Sequence, residues 1–238
     1  IIIIIIIITM ILQYVNLLNK RAMKYKIILA SKSPRRQEIM KDVLGLDFES
    51  QASDIEDIFS ADFKEMRSTL TPLEYVERVS EMKCADVHER MVKLTEEVES
   101  SDKNMIITIS ADTVVECEGR IFEKPTSEAD ARAMMMTFSN SSHRVHTGVC
   151  VQWSGVHEDG LEKEKFTETT VVNFAGIDAK ELDAYIARNE WKDKAGGYGI
   201  QGAAAAFIKG IEGDYFNVVG FPVHKFSLKL NQILIKLT

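Results

Sequence analysis

The sequence predicts a single α/β domain with two lobes, and three observations carry that expectation. Short blocks of branched apolar residues, Ile27 to Ala30 and Met105 to Ser110 foremost, alternate with segments whose apolar residues recur at helical spacing. All four prolines, at 34, 72, 125 and 222, fall where one kind of segment gives way to another. No internal repeat or long linker interrupts the chain, and 238 residues with 45% hydrophobic content suffice for one substantial core or two modest lobes.

Ile27-Ile28-Leu29-Ala30 is too brief for a helix and stops at turn formers, so it reads as a buried strand. Ser33 then offers an N-cap, Pro34 suits the first helical position, and Ile39, Met40, Val43 and Leu44 form an apolar stripe. Asp47 to Ala52 reads as a second strand, followed by the acidic loop Asp54-Ile55-Glu56-Asp57. Thr71-Pro72-Leu73-Glu74 is a capping box that opens a long helix to about Thr95, and the polar stretch 96–104 reads as a surface loop.

Met105 to Ser110 is the next strand; it ends in Ala111-Asp112-Thr113, with Val114 to Glu116 still extended. Glu118-Gly119 is a turn and Arg120 to Glu123 its returning hairpin partner. A helix capped at Thr126 or Ser127 runs to Phe138, and its Met134-Met135-Met136 run reads as core filling. Val145 to Trp153 and Phe166 to Phe174 alternate as two long strands joined by a charged hairpin loop, and Ile177 to Asn189 is helical. Seven of the thirteen glycines lie between Gly196 and Gly220, a density suited to a loop that wraps a ligand. Ala203 to Lys209 reads as a strand, Glu212-Gly213-Asp214 as a turn, and Pro222 as the start of an amphipathic helix carrying Phe226, Leu230 and Leu234.

A formal charge of −7 argues against general nucleic-acid binding, so any functional positive charge must be local. Cys84, Cys117 and Cys150 lie far apart without CxxC spacing, which suggests neither a zinc site nor a disulfide framework and fits a reducing cytosol. Residues 1–23 begin with eight isoleucines and read as an artefactual or disordered extension rather than a membrane anchor, because Gln13 and Asn16 interrupt the apolar run. The domain is expected over 24–238.

The chemistry-bearing residues begin with Ser31-Lys32-Ser33-Pro34-Arg35-Arg36. Arg35 and Arg36 stand in the first turn of a helix, where the macrodipole disfavours cations by roughly 0.3–1 kcal/mol each, so something negative is expected in front of them. Free amides, the Ser31 and Ser33 hydroxyls and two guanidinium groups together describe a phosphate cradle. Asp112, placed just after a buried strand, sits where open α/β sheets hold ligands. His143 and His146 are three apart on a strand and point to opposite faces, which weakens a metal reading.

These segments resemble, in order, the signatures of the Maf family of nucleoside triphosphate pyrophosphatases from about Lys26 to Pro222: SPRR at 33–36, Ala111-Asp112-Thr113, Glu123-Lys124-Pro125, Thr147-Gly148, Tyr198-Gly199-Ile200-Gln201-Gly202 and Asn217-Val218-Val219-Gly220. The resemblance implies a mixed twisted sheet with flanking helices, two lobes around a cleft and an inosine triphosphatase-like architecture. It also implies a catalytic base at Asp112, catalytic lysines at Lys83 and Lys124, and substrate binding by Ser31, Ser33, Arg35, Arg36, Thr113 and Gln201. Arg35, Thr113 and Gln201 become specificity positions of a branch preferring dTTP and UTP, the Gln201 amide reading a pyrimidine edge; the aromatic replacement that marks the branch acting on methylated guanine nucleotides is missing. A divalent metal, Mg²⁺ or Mn²⁺, is expected with Asp112 and Asp57 as candidate ligands, although relatives often carry Glu where Asp57 aligns. A cytoplasmic homodimer, with no nucleic-acid or membrane partner, completes the expectation. The competing reading is a nucleotide-sensing protein acting in division control without turnover.

Overall fold

A computed structural model describes residues 25–55, 60–96, 105–154 and 161–236. Strand β1 (Tyr25–Leu29) leads through a four-residue loop into α1 (Pro34–Glu38), which continues as a π-helical turn, Ile39–Val43. After β2 (Glu49–Ser50) come α2 (Ser60–Thr69) and the long α3 (Pro72–Glu96). Strand β3 (Met105–Cys117) turns tightly into β4 (Arg120–Phe122), and α4 (Glu128–Phe138) follows. The hairpin strands β5 (Ser142–Ser154) and β6 (Leu161–Phe174) precede α5 (Ala179–Ala187). Two 3₁₀ segments, Ala195–Gly197 and Ala203–Phe207, lead to β7 (Ile208–Glu212), α6 (Tyr215–Val219) and α7 (Val223–Lys236).

The seven strands form one mixed sheet in the order β2-β1-β3-β5-β6-β7, with β4 also paired to β3. Strand β1 runs parallel to β2 and β3; every other pairing is antiparallel. The mixed α/β architecture is the expected one, and local chemistry explains its helix starts. The Thr71 backbone N–H and the Glu74 carboxylate close the capping box at 2.9 Å, Ser127 accepts from the Asp130 backbone N–H at 3.1 Å, and Asp178 with Glu181 makes a second box.

Alternation along β3 divides the core. Odd-numbered residues face α1, α7 and α4; even-numbered ones face α3. On the odd side two clusters sit at opposite ends of the strands: Leu29, Met40, Ile109, Val151 and Phe226 in one, Val115, Phe138, Val145, Phe174 and Tyr198 in the other. On the even side α3 lies close against the sheet. Ser110 Oγ donates to the Ser80 carbonyl at 2.6 Å, and Gly148 on β5 faces the Val76 carbonyl, which a Cβ would meet at 2.3 Å.

Four expectations change. Asp112 lies inside β3, not beyond its end, because β5 continues to pair through Glu116. Ala203 to Phe207 forms 3₁₀ helix; alanine has weak strand preference, and β7 begins only at Ile208. The second strand shrinks to Glu49–Ser50, and Met136 points to solvent while Met134 and Met135 fill the core. The 1–23 extension, most of the 96–104 loop, the 155–160 hairpin loop, Glu56 and Asp57 lie outside the described residues.

Candidate active site

On one edge β3 pairs with β1 as far as Ile109 and with β4 from Val115. Among the described residues no strand covers the stretch between, and a cleft of ≈ 850 Å³ opens there, between the two odd-side clusters. Ser31, Ser33, Arg35, Arg36, Lys83, Asp112, Thr113, Lys124 and Gln201 all line it. Asp57 lies outside the described residues.

Consecutive residues on a strand leave opposite faces, and the cleft uses both. Asp112 turns toward α3, where Lys83 Nζ lies 2.6 Å from its Oδ1, with side chains 12% and 13% exposed. Lys83 is not the solvated helix lysine its type suggests: Ser80, Cys84 and Val87 beside it are fully buried against the sheet. Thr113 turns the other way, toward Arg36. That guanidinium donates from Nη2 to Thr113 Oγ1 at 2.9 Å, from Nε to the Gly220 carbonyl at 2.9 Å and from Nη1 to Ser31 Oγ at 3.4 Å. Arg35 donates to the Val219 and Asp193 carbonyls, both at 3.3 Å.

The negative partner expected for the two arginines is therefore in part a helix C-terminus. Val219 ends α6 and Gly220 caps it, and carbonyls there favour cations. Ser33 occupies the N-cap position of α1 but its side chain makes no capping bond; Ser31 Oγ instead accepts from the Ser33 backbone N–H at 3.2 Å. Lys124 and Gln201 stand on the exposed rim. The glycine-rich segment docks beside Lys124: the Gly196 backbone N–H donates to the Glu123 carbonyl at 2.9 Å, and its φ of 69° with Val115 Cγ2 2.7 Å from a would-be Cβ demands glycine.

A family model described as Maf-like protein matches residues 26–233. The chain belongs to the Maf-like family. Among curated relatives it is 37% identical over 216 residues to the dTTP/UTP pyrophosphatase of Bacillus cereus (strain ATCC 10987 / NRS 248), covering 90% of this chain and 92% of that one. The protein of the same name from Bacillus pumilus (strain SAFR-032) is 37% identical over 84% of this chain and 92% of its own. That of Bacillus anthracis is 36% identical over 90% and 98%.

The cleft of this Maf-like chain is cationic within an acidic protein: Lys32, Arg35, Arg36, Lys83, Lys124 and Lys194 line it against three carboxylates, Asp112, Glu190 and Asp193. Sequence reasoning missed Lys194, although it directly precedes the glycine-rich signature. Burial and then the Arg35 charge draw its pKa below the usual lysine range. Also missed was the support beneath Lys124: Tyr75, 1% exposed, donates its hydroxyl to Glu123 at 2.6 Å, and Arg67 pairs with the same carboxylate. Burial and Glu123 push the Tyr75 pKa far upward, so the phenol keeps its proton as donor.

The histidines do lie on opposite faces. His143 packs among Phe138, Phe174 and Tyr198, whereas His146 bonds Thr169 at 2.9 Å and stands 3.6 Å from Glu116. Among the described residues no three His, Cys, Asp or Glu side chains are grouped so as to hold a metal ion. No described helix is long and apolar enough to cross a membrane.

Proposed function

We propose that this chain hydrolyses dTTP, UTP or related modified nucleoside triphosphates to the monophosphate and pyrophosphate. One observation carries the reading: nine residues from five separated segments of the sequence line one cationic cleft, and within it the Asp112 carboxylate is paired with Lys83. A triphosphate brings about four negative charges, and the six cations lining the cleft complement it.

Arg35 and Arg36, preoriented on α6, bind phosphate oxygens from one side; Lys83 and Lys124 bind from the other. Asp112 takes a proton from a water whose oxygen bonds to the α-phosphorus. As that bond forms, the bond from the α-phosphorus to the bridging oxygen breaks and pyrophosphate leaves with the electron pair, its charge held by the same cations. Gln201, on the rim, presents an amide donor and acceptor to the pyrimidine edge, and Arg35 and Thr113 complete the specificity set.

The donor set fits a divalent cation, Mg²⁺ or Mn²⁺, that arrives on substrate phosphates, because such an ion needs only one or two protein carboxylates. Asp112 is the carboxylate in place to hold it, and the bound ion would neutralise developing phosphate charge. Action in the cytoplasm as a homodimer belongs to the same proposal; free, buried Cys84, Cys117 and Cys150 are compatible with that compartment.

The test is pyrophosphate release from a panel of canonical and modified nucleoside triphosphates with Mg²⁺, comparing the native protein with Asp112→Asn. Turnover of dTTP or UTP that disappears in the variant supports the reading. Nucleotide binding without pyrophosphate release would replace it with a sensing function.

A further inference from the structure

Arginine only donates hydrogen bonds, so Thr113 Oγ1, 2.9 Å from Arg36 Nη2, must accept there and send its own proton elsewhere. Two acceptors are within reach. Thr147 Oγ1, directly across the β3–β5 pair, lies at 2.9 Å; the Gly220 carbonyl lies at 3.5 Å. The shorter contact is to a residue that is fully buried and outside the cleft lining. The Thr147 proton in turn faces the Asn217 carbonyl on α6, at 3.5 Å. Asn217 is also fully buried, and its Nδ2 donates to the Val145 carbonyl at 3.0 Å and to Thr170 Oγ1 at 3.1 Å. Those bonds tie α6 to β5 and β6, and the end of α6 receives both cleft arginines.

We propose that Thr147 is a positioning residue for the triphosphate site: its hydroxyl, braced by Asn217, orients the Thr113 hydroxyl so that Thr113 holds Arg36 in the geometry that meets phosphate. This rests on the pyrophosphatase reading above for its ligand. It is a claim about hydrogen-bond direction. A valine at 147 keeps the branched shape that β5 needs but supplies no acceptor, leaving the Thr113 proton to compete for Gly220, which Arg36 already uses.

The experiment is a double-mutant cycle with Thr147→Val, Thr113→Val and the pair, plus Thr147→Ser, measuring KM and kcat for dTTP, the dTTP dissociation constant and Tm. Thr147→Val is expected to raise KM about fivefold with kcat within about twofold, an effect of one hydrogen bond. Thr147→Ser restores KM, and Thr147→Val adds nothing in the Thr113→Val background. An unchanged KM, full additivity in the cycle, or failure of serine to restore binding overturns the proposal. If Thr147→Val does not fold, Thr147→Ala takes its place in the cycle. Should the native protein bind dTTP but release no pyrophosphate, the reaction proposed above fails while the dissociation constants still decide the role of Thr147.

Discussion

Lys83 Nζ sits 2.6 Å from Asp112 Oδ1 across the interface between α3 and β3, in a setting where neither side chain is more than 13% exposed. At that depth a lone charge of either sign would be costly, and each group offsets the other's desolvation. The pair also links a deep carboxylate of the cleft to one of its cations. In the proposed reaction, substrate phosphate arriving at Lys83 would compete with Asp112 for the ammonium and so couple binding to the freedom of the proposed base.

Removing either partner should have different consequences. Asp112→Asn is expected to lower kcat for dTTP by about 10²–10⁴-fold, the usual worth of a positioned base. Lys83→Met should raise KM and lower turnover together, because it deletes a phosphate contact and leaves a buried carboxylate without its cation. Steady-state kinetics with Mg²⁺ checks both, and wild-type values for Lys83→Met would remove that lysine from the site.

Arg36 reaches Ser31, Thr113 and Gly220 with three different nitrogens. A lysine carries the same charge but not the planar fork, so Arg36→Lys should raise KM for the triphosphate about tenfold with a smaller change in kcat. Equal KM values for the two proteins would show that charge alone suffices.

Gly148→Ala tests the packing that brings Lys83 to Asp112. Its Cβ would meet the Val76 carbonyl oxygen at 2.3 Å, and that atom is helix backbone that cannot rotate away. We expect a loss of about 1–3 kcal/mol in unfolding free energy and a fall in turnover as α3 moves off the sheet. Gly210→Ala is the control: nothing lies within 4 Å of its Cβ position, so denaturation and activity should stay near wild type.

Acid should weaken the fold through His143. Burial among aromatic rings pushes its pKa down to about 4. The unfolded chain binds this proton below about 6.5 and the folded chain refuses it until about 4, so stability falls as pH drops through that window, by about 3 kcal/mol in all. His143→Phe should reduce the acid slope seen in urea unfolding between pH 7 and 4. His88 and His146, whose pKa values burial also lowers, keep part of it.

Much of the cleft was legible because its residues sit beside strong local signals. Arg35 follows a proline at a helix start, Lys124 precedes a proline after a hairpin, and Gln201 lies in a glycine-dense run. Lys83 carried a weaker signal, a lone lysine within the stripe of Tyr75, Val76, Val79, Cys84 and Val87 that α3 buries. Lys194 and Tyr75 carried none that separates them from ordinary surface and core residues, and Thr147 only its place in the Thr147-Gly148 signature, which says nothing of its partners.

By itself the sequence determined the starts of α1, α3, α4 and α7, the hairpin turn at Glu118-Gly119 and the residue types available for phosphate chemistry, since capping, proline geometry and periodicity act over a few residues; it did not mark α2 or α6. Tertiary structure alone decided that β3 runs unbroken through Asp112, that Ala203 to Phe207 turns as 3₁₀ helix, and that Arg35 and Arg36 meet carbonyls 184 residues away. Those outcomes depend on which distant strand or helix end lies alongside, and pairing between distant segments leaves no mark in the local sequence of either partner.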